Sequence, residues 1–246
     1  MSKSQGGAWK EGDLVATYLS GVRAAIPLAA EQIETMVRVV VELTGGIHRY
    51  ADLGSGDGIL SAALLDRFPQ SSGVLVDHSP PMLERARERF GSVPNELRFI
   101  EADLSRATWC GGLEGSFDAV VSGFSIHHLT HHRKQKLYRE IFGLLAPGGI
   151  FINVEHVSSP TPEIEHIFNE SMVDAIFAQQ QRDDSRKTRA EVAREFVYRP
   201  DKAENILAPV EDQCRWLRRI GYEQVDCFLR YFELAVFGGR KPSSEA

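Results

Sequence analysis

The sequence predicts an α/β protein in which a parallel sheet is covered by helices on both faces. Three observations predict it. Between residues 48 and 157, short apolar runs alternate with segments of helical period. The first run ends in a glycine-rich tip, YADLGSGDG at 50–58. Two later runs end in carboxylates, Asp77 in VLVD and Asp103 in EADL.

Taken in order, LAAEQIETMVRVVVEL puts Ile33, Met36, Val37 and Val40 on one helical face, with Glu31 and Glu34 in its first turns and Gly45-Gly46 as a stop. A shorter apolar segment, LVATYLSGVRAAIP, precedes it and completes a helical cap over 1–46. HRYADL reads as the first strand, and ILSAALLDRF as a helix stopped by Pro69. SGVLVD is the second strand. SPPMLERARERF is a helix with Ser79 as N-cap and Pro80 at its first position. LRFIEAD and FDAVVSGF are the third and fourth strands. HHRKQKLYREIFGLLA follows, with Leu137, Ile141 and Leu144 on one face. APGG is the stop, and IFINVEHV the fifth strand, closing a core over 47–157.

The rhythm breaks over 158–208. PEIEHIFNESMVDAIFAQQ reads as a helix, and the charged stretch after it as a second; together they form an inserted lid over the carboxyl edge of the sheet. PVEDQCRWLRRIG is a helix bounded by Pro209 and Gly221. EQVDCFLR and YFELAVFGG are nearly contiguous strands, hence an antiparallel edge pair within 209–246. With no repeat and no linker, the chain reads as a single domain.

The totals narrow the function. The 246 residues are 43% hydrophobic and carry a net charge of -6, which fits a globular protein and disfavours nucleic acid as a partner. Seven Lys and Arg lie between 182 and 202, but Asp183, Asp184, Glu191, Glu195 and Asp201 are mixed among them, as on a face laced with ion pairs. Cys110, Cys214 and Cys227 have neither zinc nor disulfide spacing. The start lacks a signal-peptide core, and no apolar run is long enough to span a membrane, so a cytoplasmic location is expected.

Glycines at a strand tip let a ligand lie against bare backbone. The dinucleotide pattern G-x-G-x-x-G begun at Gly54 needs Gly or Ala at 59, where this chain has Ile59. A nicotinamide oxidoreductase is therefore disfavoured and a neutral nucleoside favoured. Asp77, 25 residues after Asp52, can accept from both ribose hydroxyls. Asp103 can accept from an adenine amine, and the next N–H, that of Leu104, can donate to a ring nitrogen.

At these residues the chain resembles the class I S-adenosylmethionine-dependent methyltransferases, in particular their small-molecule group. YADLGSGDG is similar to their first motif, VLVDHS to the ribose motif and EADL to the adenine motif; FDAVVSGFSIHHL and LLAPGGIFI resemble their fourth strand and the turn before the fifth. The resemblance implies a Rossmann-like seven-stranded sheet with only the last strand antiparallel. It implies S-adenosyl-L-methionine as cofactor and S-adenosyl-L-homocysteine as product. Gly54, Ser55 and Gly56 would line the methionine part, Asp77 the ribose, and Asp103 and Leu104 the adenine. His78 and Met82 would cover the adenosine, Asp52 would brace the loop, and Arg23, near Tyr18 in the cap, would pair the methionine carboxylate. The rear half is similar in layout to carboxy-S-adenosylmethionine synthase of tRNA wobble-uridine modification.

The expected activity is methyl transfer to a small-molecule acceptor, with carboxy-S-adenosylmethionine formation and a non-catalytic cofactor-binding partner as alternatives, and a homodimer compatible with each. His128, at the tip of the fourth strand, is the candidate base or substrate contact; Tyr198 and Arg199 in the lid are candidate acceptor contacts. Glu155 and His156 alternate in direction, so at most one of them faces the acceptor. A metal bound by His128 and His132 is disfavoured, because Thr130 reads as a helix N-cap that leaves His131 and His132 exposed.

Overall fold

The computed structural model describes residues 26–91, 96–182, 185–198 and 205–243. Seven strands form one sheet in the order β3-β2-β1-β4-β5-β7-β6. They are β1 (Arg49–Leu53), β2 (Ser72–Asp77), β3 (Leu97–Glu101), β4 (Phe117–Gly123), β5 (Leu145–His156), β6 (Glu223–Tyr231) and β7 (Leu234–Arg240). Neighbours from β3 through β5 run parallel, whereas β7 is antiparallel to both β5 and β6. Strand order reverses between β2-β1 and β4, so a crevice opens at the carboxyl tips of β1, β2 and β4.

Alternation along the strands builds a core on each face. Val74, Val76, Phe151 and Phe237 face one side; Leu75, Ile150, Ile152 and Val236 face the other. The first side is covered by α4 (His131–Leu144) and α7 (Val210–Ile220), through Leu137, Ile141, Cys214 and Leu217. The second is covered by α1 (Ala29–Thr44), α2 (Ile59–Arg67) and α3 (Pro80–Phe90), through Met36, Val40, Leu60, Leu64, Ala86 and Phe90. Gly45 ends α1 at φ 73, its N–H bonded to the Val41 carbonyl.

Two local readings change. The APGG segment does not precede β5 but lies within it: Leu145 already pairs with Phe117, and the register then shifts so that Ile150 pairs with Ala119. Gly148, at φ 78, takes the bend and donates to the carbonyls of Lys241 and Pro242. In the insertion, α5 (Pro162–Arg182) is followed by α6 (Arg189–Val192), opened by a Thr188–Glu191 capping box, and a π-helical turn over Ala193–Val197. These pieces share a small core of their own, Val173, Ile176, Val192 and Val197. Phe168 joins α5 to the body, its ring 5.8 Å from His156 at the tip of β5 and 6.4 Å from Phe232 in the β6–β7 turn.

The third glycine of the tip has a packing role. Gly58 sits at φ 81 before α2, and a Cβ there would lie 2.5 Å from the Phe90 ring of α3. Gly58→Ala is therefore expected to cost about 2 kcal/mol or more, from the left-handed backbone and the overlap together. Thermal denaturation should fall by roughly 4 °C or more; an unchanged midpoint would contradict this packing.

Candidate functional site

The crevice is built by backbone bonds that tie one strand tip to the next. Gly54 and Ser55 donate their N–H groups to the Val76 carbonyl at 2.7 and 3.0 Å. Asp77, the last residue of β2, accepts from Gly56 N–H at 2.7 Å through one carboxylate oxygen and from Ser79 N–H at 2.8 Å through the other. Its own carbonyl accepts from Ala102 N–H at 3.0 Å, which sets the tip of β3 beside it. Gly54 has φ 65, and a Cβ on it would overlap Ser125, so the segment after β4 lies against its bare backbone. At Gly56, φ 55, a Cβ would meet only the Met82 sulfur, at 4.0 Å.

Asp52 is fully buried. One oxygen accepts from the Ser61 hydroxyl at 2.7 Å and its N–H at 3.1 Å, bracing the tip against α2. The other has no partner among the described residues. Burial, with the charges of Asp77 and Asp57 behind it, pushes its carboxyl up to about 7 against the pull of the Ser61 bonds. Asp57 is held by Arg89 at 2.5 Å. Burial also raises Asp77, while the N–H groups of Ser79 and Gly56 and the nearby His78 oppose it.

The loop after β3 is held by groups from elsewhere in the chain. Asp103 accepts from Ser105 N–H at 2.9 Å and pairs with Arg106 at 3.4 Å. Partial burial raises its carboxyl, but the Ser105 bonds, His78 and Arg106 outweigh it and hold it below the usual range. Leu104 is buried, and its carbonyl accepts from Arg133 Nε at 2.7 Å. Arg133 in turn grips Glu140, with distances of 2.8 and 2.7 Å, and Trp109 Nε1 donates to Glu140 at 2.6 Å. Sequence reasoning missed this strut, whose bonded residues lie up to 31 positions apart.

These residues fit a nucleoside-bearing ligand. Three buried polar atoms have no partner among the described residues: Asp52 Oδ1, Ser55 Oγ and His78 Nε2. All three belong to residues at the carboxyl ends of β1 and β2. Unpaired buried polar atoms are costly, and such a group at one crevice suits a polar guest.

The tips of β4 and β5 carry a second group. Phe124 turns the chain at φ 48, its N–H bonded to the Val154 carbonyl. His127 is buried, its Nδ1 2.7 Å from Glu155 Oε1, and its ring lies 4.0 Å from that of the half-buried His128. Buried Lys134 donates to the carbonyls of His127, Leu129 and Ile206, which fastens the segment entering α7 to the turn after β4. His156 pairs instead with Glu233 of the β6–β7 turn, at 2.7 Å. Thr130 caps α4 by accepting from Arg133 N–H.

The structure thus brings Asp52, Gly54, Ser55, Gly56, Asp77, His78, Met82, Asp103 and Leu104 to adjacent strand tips, with His128 beyond β4. Tyr198 stands apart: it is 49% exposed, and its hydroxyl donates to Glu170 of α5 at 2.8 Å. Arg189 bonds Glu170 and Asp174, and Lys187 bonds Glu195, ion pairs made within the insertion. Arg23, Tyr18 and Arg199 lie outside the described residues. No helix among the described residues is long and apolar enough to cross a membrane.

Residues 51–149 match a methyltransferase domain family. An uncharacterized methyltransferase of Mycobacterium tuberculosis is 36% identical over 107 residues, 44% of this chain and 50% of that protein. The chain therefore spans about half the length of that relative. A carboxy-S-adenosyl-L-methionine synthase of Trichodesmium erythraeum is 24% identical over 230 residues, 92% of this chain and 85% of that protein. Among solved structures, a putative S-adenosyl-L-methionine-dependent methyltransferase of Methanococcus maripaludis shares the fold at TM-score 0.59 and 18% identity, covering 100% of this chain and 99% of that one.

The raised carboxyl of Asp52 has a consequence for stability. The folded chain keeps this proton up to about pH 7, whereas the ordinary value is 3.8, so the folded state binds more protons between those limits. Its stability therefore falls as pH rises through that window. Asp52→Asn removes the titration, and its melting midpoint should gain on the native chain between pH 5 and pH 8 by about 2 °C or more. A constant difference across that range would contradict the assignment.

Proposed function

We propose that this chain is a class I S-adenosylmethionine-dependent methyltransferase that transfers the donor's methyl group to a small-molecule acceptor. The observation that carries the reading is the Asp77 clasp on Gly56, with three unpartnered buried polar atoms around it. When bound, the donor supplies a methyl carbon already activated by a sulfonium. The chain's own work is then to hold, align and exclude water.

Each tip has a part in this reading. Gly54, Ser55 and Gly56 receive the methionine portion on backbone and one hydroxyl. Asp77 accepts from the ribose with the lone pairs that Gly56 and Ser79 leave over. Asp103 and the Leu104 N–H read the adenine edge, while His78 and Met82 cover the adenosine. The free oxygen of Asp52 reaches the donor's ammonium through water, and a cation beside it favours its ionised form. His128, at the tip of β4, meets the acceptor. Tyr198 acts on the acceptor only through the lid it steadies.

A second reading is favoured by the likeness to a carboxy-S-adenosyl-L-methionine synthase over 92% of the chain, where the likeness to the Mycobacterium tuberculosis relative spans 44% of it. It keeps the donor site and changes the product. Mass spectrometry of the ligand carried through purification separates the two. Methyl transfer predicts S-adenosylmethionine or S-adenosylhomocysteine; a heavier, carboxylated form would overturn it.

Asp77→Ala tests the donor site. It removes a charged acceptor from the ribose, worth about 1.5–3 kcal/mol, or roughly tenfold to over a hundredfold in affinity. Calorimetry with S-adenosylhomocysteine should show that loss, together with a lower melting midpoint, because the N–H groups of Gly56 and Ser79 also lose their acceptor. Unchanged affinity would remove Asp77 from the site.

A further inference from the structure

The insertion leaves the body through residues 157–159 and returns to it through 206–208. The two segments meet where Ser158 N–H donates to the Ala208 carbonyl at 3.2 Å. Beyond that neck, α5, α6 and the π-helical turn share the core of Val173, Ile176, Val192 and Val197, and carry ion pairs of their own. Phe168 rests this unit on the body, against His156 and Phe232.

The returning segment lies in no helix or strand, so its carbonyls take their partners from side chains. Ile206 accepts from Lys134 Nζ at 2.5 Å, the Leu207 carbonyl lies 3.0 Å from His131 Nε2, and Ala208 accepts from Gln213 Nε2 at 3.1 Å. Lys134 is 1% exposed, and its ammonium reaches two pieces of chain. Besides Ile206, it donates to the carbonyls of Leu129 at 2.5 Å and His127 at 3.3 Å, in the turn after β4. The His127 carbonyl accepts in addition from Ile206 N–H at 2.9 Å.

An ammonium has three N–H groups and no acceptor, and here it meets three carbonyls. Burial pushes its pKa down to about 8, with the Glu155 carboxylate pulling the other way, so the group keeps its proton at pH 7. A buried ammonium is a costly brace where an apolar side chain would fill the same space. What the charge adds is a bond to each of two segments at once.

We infer that Lys134 is a positioning residue that couples the insertion to the turn after β4. Displacing the returning segment takes Ile206 from the ammonium and loosens its hold on Leu129 and His127; displacing the turn does the reverse. The same turn carries His128 at the tip of β4, so the pose of the insertion is passed to that tip. The coupling holds whichever reaction the crevice performs.

Amide hydrogen exchange on the full chain tests it, read at the N–H of Ile206, bonded to His127, and the N–H of Leu129, bonded to Ile126. Phe168→Ala unseats the insertion and should speed exchange at both amides by about tenfold. Lys134→Met keeps most of the stem and removes the donors, and by itself should speed both by about tenfold. Adding Phe168→Ala to it should then leave Leu129 exchange unchanged, because the link is already cut. A lysine that only braces its helix predicts the same Phe168→Ala effect at Leu129 with or without it, and that result would overturn the inference. So would unchanged exchange at either amide in Lys134→Met. Where that variant fails to fold, nitrogen NMR of the native chain and of Phe168→Ala decides. The Lys134 ammonium should give a slowly exchanging Nζ resonance that exchanges faster once Phe168 is removed; equal exchange in the two chains would sink the coupling.

Discussion

The Asp77 carboxylate is the joint on which the site depends. Its two oxygens take the N–H of Gly56, from the loop after β1, and the N–H of Ser79, at the start of α3. One side chain thereby fixes the spacing of two tips, and the Ala102 N–H on its carbonyl adds the third. Bonds to an ionised acceptor are about twice as strong as neutral ones, which is why a single residue can do this. Both tips border the crevice that the reversal of strand order opens. In the proposed reading the joint and the donor site are one object, so that altering Asp77 alters both.

Charge gives the crevice its sign. Asp52, Asp57 and Asp77 crowd the tips of β1 and β2, and of the three Asp57 has a guanidinium, that of Arg89, on it at 2.5 Å. Their mutual repulsion and burial leave Asp52 with a raised carboxyl and an oxygen without a partner. A cationic guest relieves both conditions, since a nearby positive charge stabilises the ionised form and fills the vacant bond. On the β4–β5 side the carboxylates are already matched, Glu155 by His127 and Glu233 by His156. The crevice is thus asymmetric: an acidic half with an unpartnered carboxylate oxygen, and a half whose carboxylates already hold hydrogen-bond partners.

Much of this was legible in the sequence, because it is written in local patterns. The alternation of strand and helix needs only periodicity, and it placed Asp77 and Asp103 at strand tips before any contact was known. The break in rhythm at 158 likewise marked the insertion, and among its described residues Arg189 pairs with Glu170 and Asp174 and Lys187 with Glu195. What stayed hidden depends on contacts between distant residues. Lys134 reads as an ordinary helix-surface lysine, yet it is buried against carbonyls as far away as Ile206. His127 reads as one of a histidine pair, and only the register of β4 with β5 brings Glu155 to it. Local pattern also misplaced the start of β5, since APGG looks like a stop although edge bonds from Gly148 hold it in the sheet. Tyr198 looked free to reach a substrate until Glu170 was found on its hydroxyl.

The central claim is that adjacent strand tips form one cradle for an adenosyl sulfonium donor. A crystal structure of the chain grown with S-adenosylhomocysteine tests it most directly. The account predicts the ribose hydroxyls on Asp77, the adenine edge on Asp103 and the Leu104 N–H, and the amino-acid end along Gly54–Gly56. A ligand seated elsewhere, or one that leaves the Asp52 oxygen and the Ser55 hydroxyl still without partners, would contradict it.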